Sequence, residues 1–249
     1  MLRYEITHEE GKDKGGTPMQ FHDPQQESWK QQAAEAAVQL IEDGMVIGLG
    51  SGSTATLVAH VLARRMQAGL HLVGAVPTSR AMQDLAASLL IPLTTLDTHP
   101  ILDLDLDGAD EIDARLSLLK GGGGALLREK IVASVSKRFI VVADQSKRVT
   151  TLGERFPLPV EVVPFAAHPV RKRLEALGAT ITLRHQAGSA FVTDNSNVIL
   201  DCRFPNRIDD PEALDAHIHQ IVGVVETGFF FHLAHQAVIG GPYGVQRLP

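Results

Sequence analysis

Short apolar runs alternate with segments of helical spacing along the first part of the chain. The runs at 45–49, 70–76 and 92–96 are bounded by glycine or proline, which is typical of buried parallel strands. Between them, apolar positions at 54–66 and 79–89 recur at the spacing of a helix face. This alternation predicts a doubly wound, mostly parallel α/β sheet. The same patterns predict further strands at 101–106 and 139–143 and helices at 29–42 and 125–135.

The pattern changes after the segment Pro157-Leu158-Pro159. The next segments have the order strand, helix, two strands, helix, strand, which predicts a smaller α+β domain of the ferredoxin-like type. Residues 238–240, with the remaining tail, are then predicted to return to the first domain. The predicted strands are 160–163, 179–183, 191–193, 198–202 and 224–230, and the predicted helices are 169–177 and 210–221. Val170, Leu174 and Leu177 are predicted to face inward from the first of these helices.

These patterns divide the chain into three parts. Residues 1–24 mix charged residues, glycine and proline without periodicity, which predicts a flexible N-terminal extension. Ser28 is the predicted cap of the first helix. Residues 25–153 together with 231–249 are predicted to form an α/β catalytic domain, and residues 154–230 the small α+β domain.

Composition narrows the range of partners. The 249 residues carry a net charge of −6 and only 5% aromatic residues, which argues against nucleic acid and anionic membranes as partners. No run approaches 18 consecutive apolar residues, so no transmembrane helix is predicted. The single cysteine, Cys202, lies in an apolar run and is predicted to be a buried structural thiol. One cysteine cannot form an intrachain disulfide, and a reducing cytoplasmic location is expected.

The glycine run Gly121–Gly124 is the most unusual local feature of the sequence. Four consecutive glycines are costly to order, so the run makes sense where the backbone must approach a ligand closely. Lys120 precedes the run and a predicted helix follows it, an arrangement that suits an anion or a developing oxyanion. Glu129 lies about one turn into that helix. The alternative is a mobile loop without a ligand.

A second glycine-rich segment, G-L-G-S-G-S-T at 48–54, joins a predicted strand to a helix. It is neither the dinucleotide fingerprint, because Ser53 replaces the third glycine, nor a nucleotide P-loop, because no Gly-Lys-Ser/Thr follows. The hydroxyls of Ser51, Ser53 and Thr54 at a helix N-terminus suit a small sugar phosphate. The alternative is a serine that only caps the helix.

Two carboxylates follow the predicted strand at 101–106. Asp107 and Asp110 are expected to project into the crevice at the carboxyl end of the sheet, where they could bind a metal, or hydrogen-bond sugar hydroxyls and move protons. A solvated acidic loop is the alternative. Lys147 likewise lies just past a strand end. The eleven histidines show no carboxylate at ligand spacing and are assigned to surface or packing roles.

Three motifs stand in order along the chain: G-L-G-S-G-S-T at 48–54, D-G-A-D-E-I-D at 107–113 and K-G-G-G-G-A-L-L-R-E-K at 120–130. Together they closely resemble ribose-5-phosphate isomerases of the A type. The similarity continues through 143–147, 156–162 and 192–201 and covers roughly residues 27–249. Gly124 and Leu127 depart from the alanine and threonine that are commoner in that family.

The resemblance implies an aldose–ketose isomerase of the pentose phosphate pathway that interconverts D-ribose 5-phosphate and D-ribulose 5-phosphate. It implies Glu129 as the base of an enediolate mechanism, with Asp107, Asp110 and Lys120 as further catalytic residues. It also implies no metal and no cofactor, and a homodimer or homotetramer. The implied substrate-binding residues are Lys30, Ser51, Gly52, Ser53, Thr54, Asp107, Gly108, Ala109, Asp110, Lys120, Gly121, Gly122, Gly123 and Lys147.

Two other classes of function remain open at this point. A sugar-phosphate deaminase or a CoA transferase could share the fold, and a non-enzymatic sugar-phosphate sensor could keep the phosphate cradle without a base. Lys120 and Glu129 together favour an enzyme.

Overall fold

A computed structural model describes residues 23–249 and shows six α-helices, two short 3₁₀ helices at Gln145–Lys147 and Pro164–Ala166, and fifteen strands in that range. The helices are α1 Pro24–Val38, α2 Ser53–Gln67, α3 Arg80–Ser88, α4 Leu126–Ser134, α5 Ala167–Ala176 and α6 Pro211–His219. The strands are β1 Val46–Leu49, β2 Gly74–Pro77, β3 Leu104–Asp107, β4 Glu111–Ile112, β5 Leu118–Leu119, β6 Phe139–Asp144, β7 Leu158–Val162, β8 Thr180–Leu183, β9 His185–Gln186, β10 Ser189–Ala190, β11 Val198–Arg203, β12 Val224–Thr227, β13 Phe229–Phe230, β14 Gln236–Gly241 and β15 Gly244–Leu248.

The main sheet has the strand order β15-β14-β6-β3-β1-β2. All its pairings are parallel except the edge hairpin of β14 and β15, which confirms the predicted doubly wound α/β class. Strands β1, β3 and β6 are buried along their whole length, which explains the apolar character of β1 and β6, whereas β3 buries two aspartates, Asp105 and Asp107. The predicted return of residues 238–240 is confirmed, since β14 pairs with β6.

A second sheet of four antiparallel strands has the order β12-β7-β11-β8. In chain order this is 4-1-3-2, with α5 and α6 as the connecting helices, the ferredoxin-like arrangement that the sequence predicts. Its core is separate from that of the main sheet. A three-stranded sheet has the order β13-β5-β4. Its strand β4 directly follows Asp110, and its strand β5 directly precedes Lys120. We propose the two sheets as the two domains, with the boundaries expected from the sequence.

The first helix differs from its prediction. It begins at Pro24 and is capped by the Asp23 carboxylate, which accepts a hydrogen bond from Gln25 N, rather than by Ser28. It ends at Val38 rather than at residue 42. Residues 23 and 24 therefore do not belong to a flexible extension, and the rest of that prediction lies outside the described residues.

Three predicted strands also differ from the structure. Residues 92–96 form only a single bridge, between Leu93 and Ala75, because the edge strand β2 bonds to them only at Ala75, which donates to Pro92 O and accepts from Thr94 N. Residues 191–193 make one bridge to β11, and the local hairpin is β9–β10 instead. The predicted strand 224–230 is divided between two sheets at Gly228, where a Cβ would lie 2.4 Å from the Lys120 carbonyl oxygen. Leu177, predicted to face inward, follows the end of α5 and is 40% exposed.

Candidate active site

A cleft of about 490 Å³, part of it open to solvent, lies at the carboxyl ends of β1, β3 and β6. This is where an open α/β sheet binds its ligands. All three sequence motifs and the segment after β6 contribute to its wall. The lining residues are Ser51, Gly52, Ser53, Thr54, Gly108, Ala109, Asp110, Lys120, Gly121, Gly122, Gly123, Glu129 and Lys147.

The first loop is held tightly against β3. A Cβ on Gly50 would lie 2.0 Å from Asp107 Oδ1, so only glycine allows the two segments to approach this closely. Asp107 Oδ1 accepts hydrogen bonds from the Ser51 amide at 3.1 Å and the Gly108 amide at 2.7 Å. The Ser51 hydroxyl contacts the hydroxyls of Thr78 and Ser79, each at 2.7 Å. Ser51 therefore shapes the loop, while Ser53 and Thr54 begin α2 at the cleft.

The glycine run is anchored on two sides. The Gly122 amide donates to Asp110 Oδ2 at 2.7 Å. From the second sheet, the Arg184 guanidinium donates to the carbonyls of Gly121 and Gly122 and pairs with Asp201. Gly121 has φ +104°, a conformation that favours glycine. These contacts favour a fixed cradle over the mobile-loop alternative.

Lys120 and Glu129 are buried side by side at the base of the cleft. Lys120 Nζ lies 3.5 Å from Glu129 Oε1 and 3.0 Å from Asp107 Oδ2, and it donates to the Gly108 carbonyl. Only 2% of Lys120 and 6% of Glu129 is exposed. The β13–β5 pairing and the bond from the Lys120 amide to the Gly228 carbonyl fix the lysine backbone, and α4 carries the glutamate in its first turn.

Burial and neighbouring charges shift the pKa values of this cluster. Burial raises the pKa of Glu129 to about 8, and the Asp107 and Asp110 charges act in the same direction, while Lys120 opposes them. Burial also raises the pKa of Asp107, against the effect of Lys120. For Lys120, burial favours the neutral amine, but the Asp107 and Glu129 carboxylates outweigh it and raise the pKa. Lys120 is therefore an ammonium at neutral pH, and Glu129 can hold or release a proton there.

Two of the sequence-predicted residues do not reach the cleft wall. Asp107 is 1% exposed and lies behind Lys120 rather than projecting into the crevice. Lys30 lies on α1 at the outer side of the first loop, with Nζ 3.4 Å from the Ser53 hydroxyl and 3.1 Å from Glu27 Oε1. Lys147 does line the cleft, and its Nζ lies 5.0 Å from the centre of the Phe156 ring.

Sequence reasoning missed three contributors to the site. Arg184 reaches the glycine run from the other sheet, Thr78 supports Ser51, and Asp105 is buried beneath Asp107. The sequence does contain a signal for Asp105, because a charged residue between the leucines of a buried strand is unusual and indicates a special role. Arg184 and Thr78 carry no such signal, since their contacts are with distant segments.

Among residues 23–249 no cluster of three or more His, Cys, Asp or Glu side chains has an arrangement able to hold a metal ion. Cys202 is buried in β11, and burial raises the pKa of its thiol, as expected for a structural cysteine. In the same range, no helix is long and apolar enough to cross a membrane.

Comparison with known proteins decides the family. Residues 74–244 match the model of ribose 5-phosphate isomerase A (phosphoriboisomerase A). The chain belongs to the ribose 5-phosphate isomerase A family. This confirms the resemblance drawn from the motifs, and membership makes the protein an aldose–ketose isomerase.

Relatives in the ribose 5-phosphate isomerase A family match almost end to end. The protein of that name from Roseiflexus sp. (strain RS-1) is 55% identical over 222 residues, covering 88% of this chain and 95% of the relative. The one from Bacillus mycoides (strain KBAB4) is 48% identical over 218 residues, covering 88% and 98%. The solved ribose 5-phosphate isomerase A of Methanocaldococcus jannaschii superposes with a TM-score of 0.84 at 41% identity, covering 89% and 98%. A D-ribose-5-phosphate isomerase solved in complex with phospho-erythronic acid gives a TM-score of 0.86 at 38% identity, covering 89% and 98%.

Proposed function

We propose that this protein interconverts D-ribose 5-phosphate and D-ribulose 5-phosphate through a cis-enediolate, with Glu129 as the base. One observation carries the proposal: a buried glutamate and a buried lysine lie 3.5 Å apart at the base of a glycine-walled cleft. Moving a carbonyl between carbon 1 and carbon 2 requires one group to remove a proton and return it to the neighbouring carbon. It also requires fixed donors for the oxyanion that forms.

Glu129 has the properties of such a proton carrier. Its raised pKa, to about 8, makes the carboxylate a stronger base than an exposed glutamate and keeps its acid form able to return the proton. Its Oε2 is buried and has no hydrogen-bond partner among the described residues, so no protein group competes for the proton. One carboxylate can therefore serve carbon 2 and carbon 1 in turn.

Lys120 and the glycine run supply the positive charge and donors. The Lys120 ammonium is held by Asp107 behind it, and the Gly123 amide makes no hydrogen bond to the described part of the chain. We infer that these groups bind the oxygens of carbon 1 and carbon 2 in the enediolate. Preorganised donors in a site of low dielectric cost no reorganisation when the charge develops.

Opening of the sugar ring precedes isomerisation and needs an acid and a base. Asp110 lines the cleft and is bonded to the Gly122 amide through Oδ2, and Lys120 lies close by. Asp107 has no exposed surface for direct contact with a sugar. We infer that Asp110 and Lys120 act on the ring oxygens and that Asp107 acts through Lys120.

The phosphate is proposed to bind at the outer end of the cleft. The hydroxyls of Ser53 and Thr54 at the N-terminus of α2, together with Lys147, offer donors and positive charge there. Lys30 adds charge from α1, next to Ser53.

Replacement of Lys147 by alanine is expected to raise KM for ribose 5-phosphate by about 10- to 100-fold, because one charge-assisted contact contributes roughly 1.5–3 kcal/mol. Turnover should fall less, to the extent that phosphate binding also orients the sugar. Steady-state kinetics measure both. The matched control is Lys137→Ala, an exposed lysine paired with Asp103 away from the cleft. An unchanged KM in Lys147→Ala would remove this residue from the phosphate site.

The direct test of the proposed function is an isomerase assay on ribose 5-phosphate with excess chelator present. We expect full activity, because both oxygens of Asp107 already face protein donors and the Lys120 ammonium supplies the positive charge of the site. Loss of activity that a divalent ion restores would make the acidic residues metal ligands. Release of ammonia from an amino sugar phosphate, or CoA transfer without isomerisation, would overturn the assignment in favour of another class.

The pH dependence of kcat/KM should report the ionisation of Glu129. The base must be the carboxylate, and its pKa is raised, so kcat/KM should fall as the pH drops through about 8. At pH values well below 7 it should decrease about tenfold per pH unit. A profile that is flat from pH 6 to pH 9 would contradict the raised pKa.

The resemblance to the family also supports assembly as a homodimer or homotetramer, in the cytoplasm, within the non-oxidative pentose phosphate pathway. Light scattering of the purified protein measures the assembly.

A further inference from the structure

Asp105 is a fully buried carboxyl group to which the proposed mechanism gives no role. It lies in the middle of β3, and both its oxygens lack a hydrogen-bond partner among the described residues. Gly48 of the neighbouring strand makes room for it: a Cβ there would lie 2.5 Å from Asp105 Oδ1. A buried polar group without a partner costs stability, so its presence calls for an explanation.

The position of Asp105 connects it to the active site. Successive residues of a strand point to opposite faces, so Asp105 and Asp107 share one face of β3. The same Cβ on Gly48 would lie 2.4 Å from Val132 Cγ1, and Val132 is three residues after Glu129 on α4. Asp105 is therefore packed against the helix that carries the proposed base, one layer below the cleft.

Carboxylate oxygens of two active-site residues are also buried without a hydrogen-bond partner among the described residues. These are Asp107 Oδ2 and Glu129 Oε2, although Asp107 Oδ2 lies 3.0 Å from Lys120 Nζ. Asp107 and Glu129 thus flank a single ammonium group, and Asp105 lies one layer below them. Three buried carboxylates close to one cation would repel one another, and an ionised carboxylate is costly to bury without a partner.

Protonation of Asp105 removes both the repulsion between the carboxylates and the cost of burying an unpaired charge. Burial raises the pKa of Asp105 well above its ordinary value, and the charges of Asp107 and Glu129 raise it further, while Lys120 lowers it. A protonated carboxyl group has one O–H to donate, and the next carboxylate on the same face of β3 is Asp107, whose Oδ2 faces only the Lys120 ammonium among the described residues. This pairing would satisfy both side chains without adding charge.

We propose that Asp105 is a positioning residue that stays protonated and donates its O–H to Asp107 Oδ2, the oxygen that also faces Lys120. Asp107 then remains a carboxylate fixed between the first loop, whose Ser51 amide it binds, and the Lys120 ammonium. Asp105 thereby holds Lys120 in place for the enediolate oxygens without touching substrate. The inference rests on the proposed function for its catalytic consequence, but not for the protonation itself.

The protonation is measured by infrared spectroscopy at neutral pH. Glu129 would also contribute a protonated carboxyl band, so the comparison uses the Glu129→Gln protein with and without Asp105→Asn. We expect the double variant to lose a carbonyl-stretch band of a buried carboxylic acid that the single variant shows. Identical spectra would show that Asp105 is ionised and would overturn the proposal, whatever reaction the enzyme catalyses.

The catalytic consequence is measured with three variants of β3. Asp105→Asn keeps the shape and a donor, and kcat should stay within about threefold of the parent. Asp105→Leu keeps the branched shape but removes the donor, and kcat should fall about 10- to 100-fold through misplacement of Lys120. KM should change by less than about twofold in both, because the phosphate contacts remain. Asp103→Asn is the matched control, a carboxylate of the segment that leads into β3, paired with Lys137 at the surface.

Thermal unfolding separates this role from a purely structural one. Asp105→Leu should be at least as stable as the parent, since an unpaired buried polar group is replaced by an apolar one. Retention of parental kcat by a folded Asp105→Leu protein would overturn the proposal, and so would a loss greater than about tenfold in Asp105→Asn. If the leucine variant does not fold, the asparagine variant and the infrared band decide the question.

Discussion

Replacement of Glu129 by glutamine is expected to reduce kcat by about 10²–10⁴-fold, the usual effect of losing a positioned general base. This corresponds to roughly 3–5 kcal/mol of activation free energy. The amide has nearly the same volume as the carboxyl group but cannot accept the carbon-bound proton. The Ser53, Thr54 and Lys147 contacts proposed for the phosphate are untouched, so KM should change much less than kcat.

The measurement pairs turnover with exchange of deuterium at carbon 2 of labelled ribose 5-phosphate. The matched control is Glu111→Gln. Glu111 is also fully buried, but its carboxylate accepts hydrogen bonds from the amides of Gly153, Arg155 and Phe156, away from the cleft. That variant should lose stability and keep kcat per folded molecule. If Glu129→Gln exchanged and isomerised within about threefold of the parent, another group would be the base.

Replacement of Lys120 by methionine should lower kcat by about 10²–10³-fold, the cost of removing one oxyanion donor. Methionine matches the length of the lysine stem but carries no charge. Without the ammonium, the pKa of Glu129 should rise further, because Lys120 is the group that lowers it. The fall of kcat/KM with decreasing pH should therefore begin at a higher pH than in the parent.

This variant should also be less stable. Removing one member of a buried ion pair typically costs about 3–5 kcal/mol, and here it leaves Asp107 and Glu129 without their cation. Lys130→Met is the matched control, since Lys130 pairs with Glu226 and lies over the Phe230 ring, outside the cleft. It should lose stability but little turnover. Equal losses of kcat in the two variants would show that Lys120 acts through folding alone.

The family and the fold class could both be predicted from the sequence. The motifs and the apolar patterns that indicate them are local features of the chain. The apolar runs of β1 and β6 are buried on both faces, and cap residues such as Ser79 and Asp210 mark the helix starts that the structure shows. The cleft residues could be predicted because they lie in short motifs directly after strands. Carboxyl ends of parallel strands meet at one edge, so contiguous motifs converge there without further information.

The predicted strands that differ from the structure show where local pattern is insufficient. Residues 92–96 have the composition of a strand, yet only Leu93 reaches a partner, because a strand exists only where a neighbouring strand is in register. The predicted strand 224–230 is divided between two sheets at Gly228, where the backbone approaches Lys120 closely. Neither outcome depends on the local sequence alone.

The sequence by itself determined which groups meet at the cleft, and the tertiary structure decided their depth and their charge. Asp107 and Asp110 belong to the same motif, but only Asp110 lines the cleft, since Asp107 is covered by Lys120 and the first loop. Arg184 supports the glycine run from 62 residues away, and Asp105 is buried by Gly48 and Val132 from two other elements. Burial and long-range contacts set pKa values and hydrogen-bond partners, and both arise only when distant segments pack together.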